Sequence, residues 1–232
     1  MKHLITCLLC CLALAGWSQG SIAVHGGTQY LRAEALDNAV NGYNFNRPWT
    51  DNTLGHLSFG YNAGIDYANK VNSLYRLGIM GRWSHFAAST ETADPFQVRL
   101  QLFEIMATAD FYFLAKGAEK DHPFNDAFVR LAAGYGISWA RTSNENDDSD
   151  ADPGNYTGMS FPVLAYIGYD IQLGSSMSMT PMIGSGWYPR IGVDGISRQL
   201  AAGTNPDADF DQGSVFDFQL RLAWPLNKPE SE

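Results

Sequence analysis

Two segments of this sequence carry carboxylates at alternate positions, a pattern that could bind a hard cation. They have the form Asp-x-Asp-x-Asp-x-Gly and comprise Asp148, Asp150, Asp152 and Gly154, and Asp207, Asp209, Asp211 and Gly213. Oxygen ligands of this kind suit Ca²⁺, although both segments lack the twelfth-position glutamate of an EF-hand loop. The sequence therefore predicts either a weak Ca²⁺ site or a solvated acidic surface, and no other cofactor.

A second set of charged residues interrupts apolar segments at every second position. It comprises Asp66, Arg76, Arg82, Arg99, Glu104, Asp110, Arg130, Asp170, Arg190, Asp217 and Arg221. Every base in the set is an arginine, whose planar guanidinium suits bidentate pairing with a carboxylate. We predict an ionic network in which one layer alternates in charge from strand to strand: Asp66, Arg76, Asp110, Arg130, Asp170 and Arg221.

The segments that must position these charges alternate between apolar and polar residues with period two. There are eight: 22–30, 57–67, 75–83, 96–113, 127–141, 161–174, 177–193 and 216–226. A transmembrane barrel strand needs an apolar residue toward lipid at alternate positions, and its other face can be polar. A soluble sandwich would bury that second face and would not tolerate so many ionic residues there. The pattern predicts an all-β fold, an eight-stranded antiparallel up-and-down transmembrane β-barrel.

Details of the segments refine this prediction. The alternation in 96–113 changes phase at Leu102 and Phe103, which predicts a β-bulge and turns Arg99 inward. Pro181 and Pro189 predict bulges or strand ends. Aromatic residues near both strand ends predict two interfacial girdles, with Phe128 in the inner one. Long polar connections at 35–54, 87–95, 142–160 and 194–214 predict outer loops, and the shorter connections predict periplasmic turns.

The N-terminus predicts export. Lys2 precedes an apolar run from Leu4 to Ala15, and small residues follow, as in a cleaved secretory signal peptide. We assign residues 1–18 to this peptide, 19–226 to the barrel and 227–232 to a short periplasmic tail. All three cysteines lie in the signal peptide, so the mature chain has no thiol for redox chemistry or metal binding.

The charge balance excludes one class of partner. The chain has a net charge of −9, and Lys2 is the one charged residue of 1–18, so removal of the peptide leaves −10. An acidic surface argues against nucleic acid. The expected partners are instead outer-membrane lipid, lipopolysaccharide and, during insertion, the barrel-assembly machinery.

In these features the chain resembles the small outer-membrane barrels of the OmpA-transmembrane, OmpX and OmpW kind, and the outer-membrane β-barrel domain proteins of the Bacteroidota. The likeness covers residues from about Gln19 to Leu226. It rests on the architecture, the signal peptide and the closing strand Phe-Gln-Leu-Arg-Leu-Ala-Trp-Pro-Leu at 218–226. The resemblance implies a multi-pass protein of a Gram-negative outer membrane.

An eight-stranded barrel is only wide enough for side chains to fill it. A paired ionic network in that space predicts a plug, and the alternative is a narrow path for ions, protons or small solutes. We therefore predict a non-enzymatic barrel with a structural or surface-interaction role.

Lipid A-modifying barrels provide a further alternative. Their deacylase type resembles a His-x-Ser-Asn pattern on the lipid face, but His85 is followed at that spacing by Ala87, with Ser84 inward and Ser89 too distant. For the palmitoyltransferase type, only His56 and Asp51 are available. We assign no catalytic residue, because no nucleophile is placed beside a base.

The acidic segments can be tested by calorimetric titration of Ca²⁺. We expect binding with a dissociation constant of about 10⁻⁴–10⁻³ M, typical of extracellular modules. Replacement of Asp148, Asp150 and Asp152 by asparagine should abolish the heat of binding. Equal, negligible heats from wild type and variant at millimolar Ca²⁺ would leave the segments as solvated surface.

Overall fold

The computed structural model describes residues 20–45, 53–90, 96–114, 124–144, 154–174, 176–193 and 210–226. The strands are β1 (Gly20–Ala33), β2 (Phe59–Lys70), β3 (Tyr75–Ser89), β4 (Phe96–Tyr112), β5 (Ala127–Asn144), β6 (Asn155–Ser160), β7 (Val163–Tyr169), β8 (Ile171–Gln172), β9 (Ser178–Gly192) and β10 (Phe210–Pro225); the helix is α1 (Glu34–Phe45). The predicted signal peptide 1–18 and tail 227–232 lie outside the described residues. So do Asp51, Asp148, Asp150, Asp152, Asp207, Asp209 and the side chain of Asp211.

The strands form one antiparallel sheet that closes on itself. β1 pairs with β2 on one side and with β10 on the other, and β10 pairs with β9. β6 and β7 pair with β5 in a single register, and β7 and β8 pair with β9, so β6–β8 act as one barrel strand. The predicted eight-stranded barrel is confirmed.

The connections define two ends of the barrel. At the turn end the strands are joined by 71–74, 113–126 and 173–177, and Gly174 has a φ of 124°, which only glycine adopts without strain. The opposite, loop end carries α1 and the connections 90–95, 145–154 and 193–209. Of the described helices, none has the length and hydropathy required to cross a membrane.

Alternation along each strand separates an apolar exterior from a buried interior. The exterior displays large apolar side chains that are about half exposed or more, including Ile65, Ile105, Ile137, Ile167 and Ile183. From Tyr75 to His85 this face covers ten residue-to-residue steps, about 33 Å along the strand. At the usual tilt of about 40° that length gives a band of roughly 25 Å, the height of a transmembrane apolar belt.

The β-bulge predicted at Leu102 and Phe103 is wrong. β4 keeps an unbroken register with β3 and with β5 along its whole length. Val98, Leu100 and Leu102 are fully buried and face inward, so the apolar residues did not mark the lipid face here. Arg99 therefore points outward and is exposed, and its predicted place in the interior network is wrong.

Irregularities occur elsewhere, at Pro162 and Pro189, whereas Pro181 lies within β9 in an unbroken register with β10. The register between β9 and β10 shifts between Tyr188 and Ile191, which flank Pro189. Phe161 and Pro162 separate β6 from β7. Phe128, predicted in an exterior girdle, is buried in the interior, where its ring lies 5.3 Å from that of Tyr112.

The sequence analysis missed α1, which lies within the predicted outer loop 35–54. Leu36, Val40 and Tyr43 are spaced by four and three residues, and all three are buried in the apolar core of the loop end. The Asn44 amide fixes the end of the helix, because it accepts from the Leu54 amide at 2.8 Å and donates to the Leu54 carbonyl at 3.1 Å. The helix thus packs into the mouth of the barrel.

Two adjacent glycines of β1 allow a test of closure. A Cβ at Gly27 would overlap the backbone of Phe218 in β10, whereas a Cβ at Gly26 meets nothing closer than the Asn62 carbonyl at 3.6 Å. Gly27→Ala should cost about 1–3 kcal/mol by overpacking and reduce the heat-modifiable folded band on gels. Gly26→Ala should leave that band unchanged. Equal bands for the two variants would contradict the β1–β10 seam.

Candidate functional site in the barrel interior

Six charged side chains from six barrel strands form a continuous chain of ion pairs in the turn-end half of the interior. Along the chain they are Arg221, Asp66, Arg130, Asp110, Arg76 and Asp170, here called the turn-end ionic cluster. Opposite charges alternate at every step. These are the six residues for which the sequence predicted a single layer.

Arg130 is the centre of this cluster. Its Nε and Nη2 donate to the two carboxylate oxygens of Asp110 at 2.6 and 3.0 Å, and its Nη1 donates to Asp66 at 2.9 Å. Arg221 Nε donates to the same Asp66 oxygen at 2.9 Å. Arg130 and Arg221 are fully buried, and the fork-shaped pairing of Arg130 with Asp110 compensates a large part of the desolvation cost of Arg130.

The other end of the cluster involves Arg76 and Asp170. Arg76 Nη2 lies 3.2 Å from both Asp110 and Asp170, and its guanidinium stacks over the Tyr112 ring at 4.9 Å. Asp170 also accepts from the Tyr112 hydroxyl at 2.7 Å and the Thr180 hydroxyl at 2.6 Å. These hydrogen bonds and the ion pair leave few free lone pairs on Asp170. With three arginines and three aspartates, the turn-end ionic cluster as a whole is neutral.

A second layer, the Arg82 cluster, lies nearer the loop end. Arg82 donates to Glu104 at 2.6 and 2.9 Å and to Asp217 at 3.0 Å. Its remaining donors reach the hydroxyls of Tyr188 at 2.7 Å and Tyr166 at 3.2 Å. Asp217 also accepts from Tyr166, Asn62 and Gln219. The Arg82 guanidinium therefore donates hydrogen bonds to two carboxylates and two tyrosine hydroxyls in a fully buried site.

An apolar layer fills the interior near the loop end. Phe86, Leu100 and Leu102 lie beyond the Arg82 cluster, and the buried face of α1 packs with them. Along β3 and β4 the interior therefore consists, from the turn end to the loop end, of the turn-end ionic cluster, a buried layer that includes Met80 and Met106, the Arg82 cluster and an apolar layer.

Nine of the eleven charged residues proposed from the sequence lie in these two clusters. Arg99 does not, and Arg190 lies half-buried near the loop end of β9, where its carbonyl accepts from the Phe161 amide at 3.0 Å. Sequence reasoning did not include Tyr112, Tyr166 or Tyr188. The available signal was their place in the alternation, which puts them on the inward face of their strands. A phenol that lies next to a buried carboxylate there supplies the hydrogen-bond donor that the carboxylate needs.

One sector of the interior, along β10, β1 and β2, has polar atoms without a hydrogen-bond partner among the described residues. They include both ring nitrogens of His25, the Gln29 amide, both Nη atoms of Arg221 and one oxygen of Asp66. Buried polar atoms of this kind are normally satisfied by internal water. On the opposite side, from β3 to β5, ion pairs join neighbouring strands, although Arg76 Nε and the Ser84 hydroxyl also lack a hydrogen-bond partner among the described residues.

Of the catalytic candidates that the structure describes, Ser84 and His85 do not form a nucleophile–base pair. Ser84 is buried and faces inward, whereas His85 lies on the exterior beside the rings of Tyr61 and Trp83. His56 Nδ1 lies 2.8 Å from Asp37 of α1, a contact that joins the helix to the segment before β2. Within the described ranges, no three His, Cys, Asp or Glu residues are grouped as a metal site would require.

The closed ladder, the apolar exterior and the filled ionic interior define a class: small eight-stranded β-barrels of the outer-membrane type. No family model and no curated protein matches the sequence. Among solved structures, the chain is similar to Neisserial surface protein A, with a TM-score of 0.48, 9% identity and coverage of 88% of this chain and 96% of that one.

Two further structures are similar. The attachment invasion locus protein Ail of Yersinia pestis, in complex with the heparin analogue sucrose octasulfate, has a TM-score of 0.46, 10% identity and coverage of 88% and 98%. The outer membrane protein OprG of Pseudomonas aeruginosa has a TM-score of 0.43, 6% identity and coverage of 90% and 97%. At such low identity the evidence for the architecture of this chain is its own strand pairing.

The alternating order of the turn-end ionic cluster predicts an unusual mutational pattern. Arg130→Met should lower the free energy of unfolding by about 3–5 kcal/mol, because Asp110 and Asp66 lose their shared cation. The double variant Arg130→Met, Asp110→Asn should lose less than the single variant, since it leaves two neutral pairs, Arg221–Asp66 and Arg76–Asp170. Urea titration of the protein in lipid vesicles measures both. A double variant at least as unstable as the sum of its single variants would contradict a paired chain.

Proposed function

We propose that this protein is a non-enzymatic integral outer-membrane barrel whose plugged interior provides a rigid scaffold for a structural or surface-interaction role. The observation that supports this most is the chain of buried ion pairs that crosses the interior from β10 to the strand of Asp170. A stable open channel would leave these side chains in water and free to separate. Here they are packed against each other and excluded from solvent.

The plug has a mechanical consequence. Arg130 joins β5 to β4 and β2, and Arg82 joins β3 to β4 and β10, so opposite walls are linked across the interior. Cross-links of this kind resist deformation of the barrel cross-section. A rigid barrel would hold the connections of the loop end in fixed relative positions, which suits binding of an external partner.

The expected orientation places the loop end outside the cell and the turn end in the periplasm. Long connections on one side and mostly short ones on the other support this assignment. The proposed export signal in residues 1–18 and insertion by the barrel-assembly machinery belong to the same proposal. The apolar belt would then contact outer-membrane lipid, with lipopolysaccharide around the loop end.

A second candidate is a narrow path for water and protons. It is supported by the sector in which His25, Gln29, Arg221 and Asp66 keep unpaired polar atoms. Water molecules that satisfy those atoms would form a file along β1, past one side of both ionic clusters. Such a path would be too narrow for solutes and would carry only water and protons.

Reconstitution separates the two candidates. For the plug, we expect no stepwise conductance in planar bilayers at 1 M KCl, and proton flux into dye-loaded vesicles equal to that of protein-free vesicles. Stable conductance steps would contradict the plug.

Proton flux without conductance would instead favour the second candidate, provided that His25→Phe abolishes it. The matched control is His85→Phe, which replaces a histidine on the exterior of β3 and should leave the flux unchanged.

A further inference from the structure

The exterior of β2–β5 is not a uniform apolar surface but changes in chemistry from the middle of the barrel to the loop end. Near the middle, a groove of about 450 Å³ runs across the strands, lined by Ile65, Gly81, Phe103, Ile105, Tyr135 and Ile137. Gly81 forms the floor, because it has no side chain between the larger residues on either side. A Cβ added there would meet only Ile65, at 3.8 Å.

The next residues toward the loop end are amphipathic. Tyr61, Trp83 and His85 form a cluster of three rings with centroids 5.0–5.8 Å apart. On the neighbouring strands Gln101 is the direct partner of both His85 and Trp139. Aromatic side chains with one polar edge are characteristic of the boundary between hydrocarbon and headgroups.

Two arginines come directly after this boundary. Arg99 of β4 and Arg141 of β5 are direct cross-strand partners, and both are exposed on the exterior. Arg99 Nη2 donates to Gln97 at 2.7 Å, and no carboxylate of the described residues pairs with either guanidinium. Like charges directly opposite each other on a sheet are destabilising, unless an anion lies between them.

We propose that this face binds an acylated phosphate lipid, with the phosphate held between Arg99 and Arg141 and one acyl chain lying in the groove over Gly81. The charge and the forked donors of two arginines complement a phosphate. Among the described residues neither guanidinium has a carboxylate partner, so a neutral lipid would leave both charges uncompensated, and a zwitterionic lipid would bring an ammonium beside its phosphate.

The length of the face fits this ligand. From Arg99 to Ile105 the chain covers six residues, about 20 Å along β4. With a strand tilt of about 40°, this is roughly 15 Å along the membrane normal, which is the depth of one leaflet of a 30 Å hydrocarbon core. When the phosphate lies at the two arginines, one acyl chain is thus long enough to extend into the groove. The lipid would lie in the leaflet on the side of the membrane that the loop end faces.

This proposal goes beyond the proposed function and does not depend on the state of the interior. It requires only that the apolar belt spans a bilayer. Failure of the plug would leave it intact, and its own failure would leave the plug intact.

The test is native mass spectrometry of the purified barrel released from micelles that contain one added lipid. Dimyristoyl phosphatidic acid supplies phosphate and acyl chains, dimyristoylglycerol supplies the chains alone, and inorganic phosphate supplies the anion alone. We expect one tightly retained phosphatidic acid, with an apparent affinity at least tenfold higher than for dimyristoylglycerol, and no displacement by 10 mM inorganic phosphate. Displacement by inorganic phosphate would show an anion site without a lipid groove and would overturn the proposal.

Variants locate the site. Arg99→Gln and Arg141→Gln should each weaken phosphatidic acid binding about tenfold and leave dimyristoylglycerol unaffected, whereas Gly81→Leu should weaken both by filling the groove. The matched controls are Arg32→Gln, an exposed arginine at the loop end of β1, and Ser185→Leu, an exterior residue of β9. Retained binding in the arginine variants, or equal losses in the controls, would overturn the proposal. Heat-modifiable migration verifies that each variant is folded.

Discussion

Hydrocarbon offers no hydrogen-bond partner to a backbone amide or carbonyl, and this constraint determines most of the structure. A sheet that spans a membrane must close, since each unpaired group at an edge would cost several kcal/mol. Here β1 supplies the closure by pairing along its length with both β2 and β10. Gly27 has no side chain where the backbone of β10 lies against it, so a larger residue at this position of the seam would displace β10.

Closure with only eight strands creates the second constraint, a narrow interior. Any polar residue that faces inward must find its partner among other inward residues or a few waters. The chain meets this requirement with two different solutions. Near the turn end, single charges alternate in a neutral chain; nearer the loop end, Arg82 is shared between two carboxylates and two tyrosine hydroxyls.

The period-two alternation predicted the strands, the closed barrel and the six residues of the turn-end ionic cluster, because parity alone determines which face a side chain occupies. The prediction from alternation was wrong in the part of β4 where the apolar residues face the interior instead of the lipid. Val98, Leu100 and Leu102 face inward and belong to the apolar core of the interior, and this reversed the predicted orientation of Arg99. The helix itself could have been predicted from the spacing of Leu36, Val40 and Tyr43. The sharing of Arg82 between Glu104 and Asp217 could not, because it depends on which strands face each other across the interior.

The ion pairs differ in the sequence distance between their partners, and this difference implies an order of events during assembly. Arg76–Asp110, Arg82–Glu104 and Asp110–Arg130 join direct partners on adjacent strands, so each can form as soon as its hairpin forms. Asp66–Arg221 and Arg82–Asp217 join residues 155 and 135 positions apart, and they require β10 to be in place. A nascent barrel therefore carries Asp66 uncompensated by Arg221 until its last strand arrives. Without Arg221 the other five residues of the turn-end ionic cluster carry one excess negative charge, so arrival of the last strand closes the sheet and neutralises this cluster in the same step.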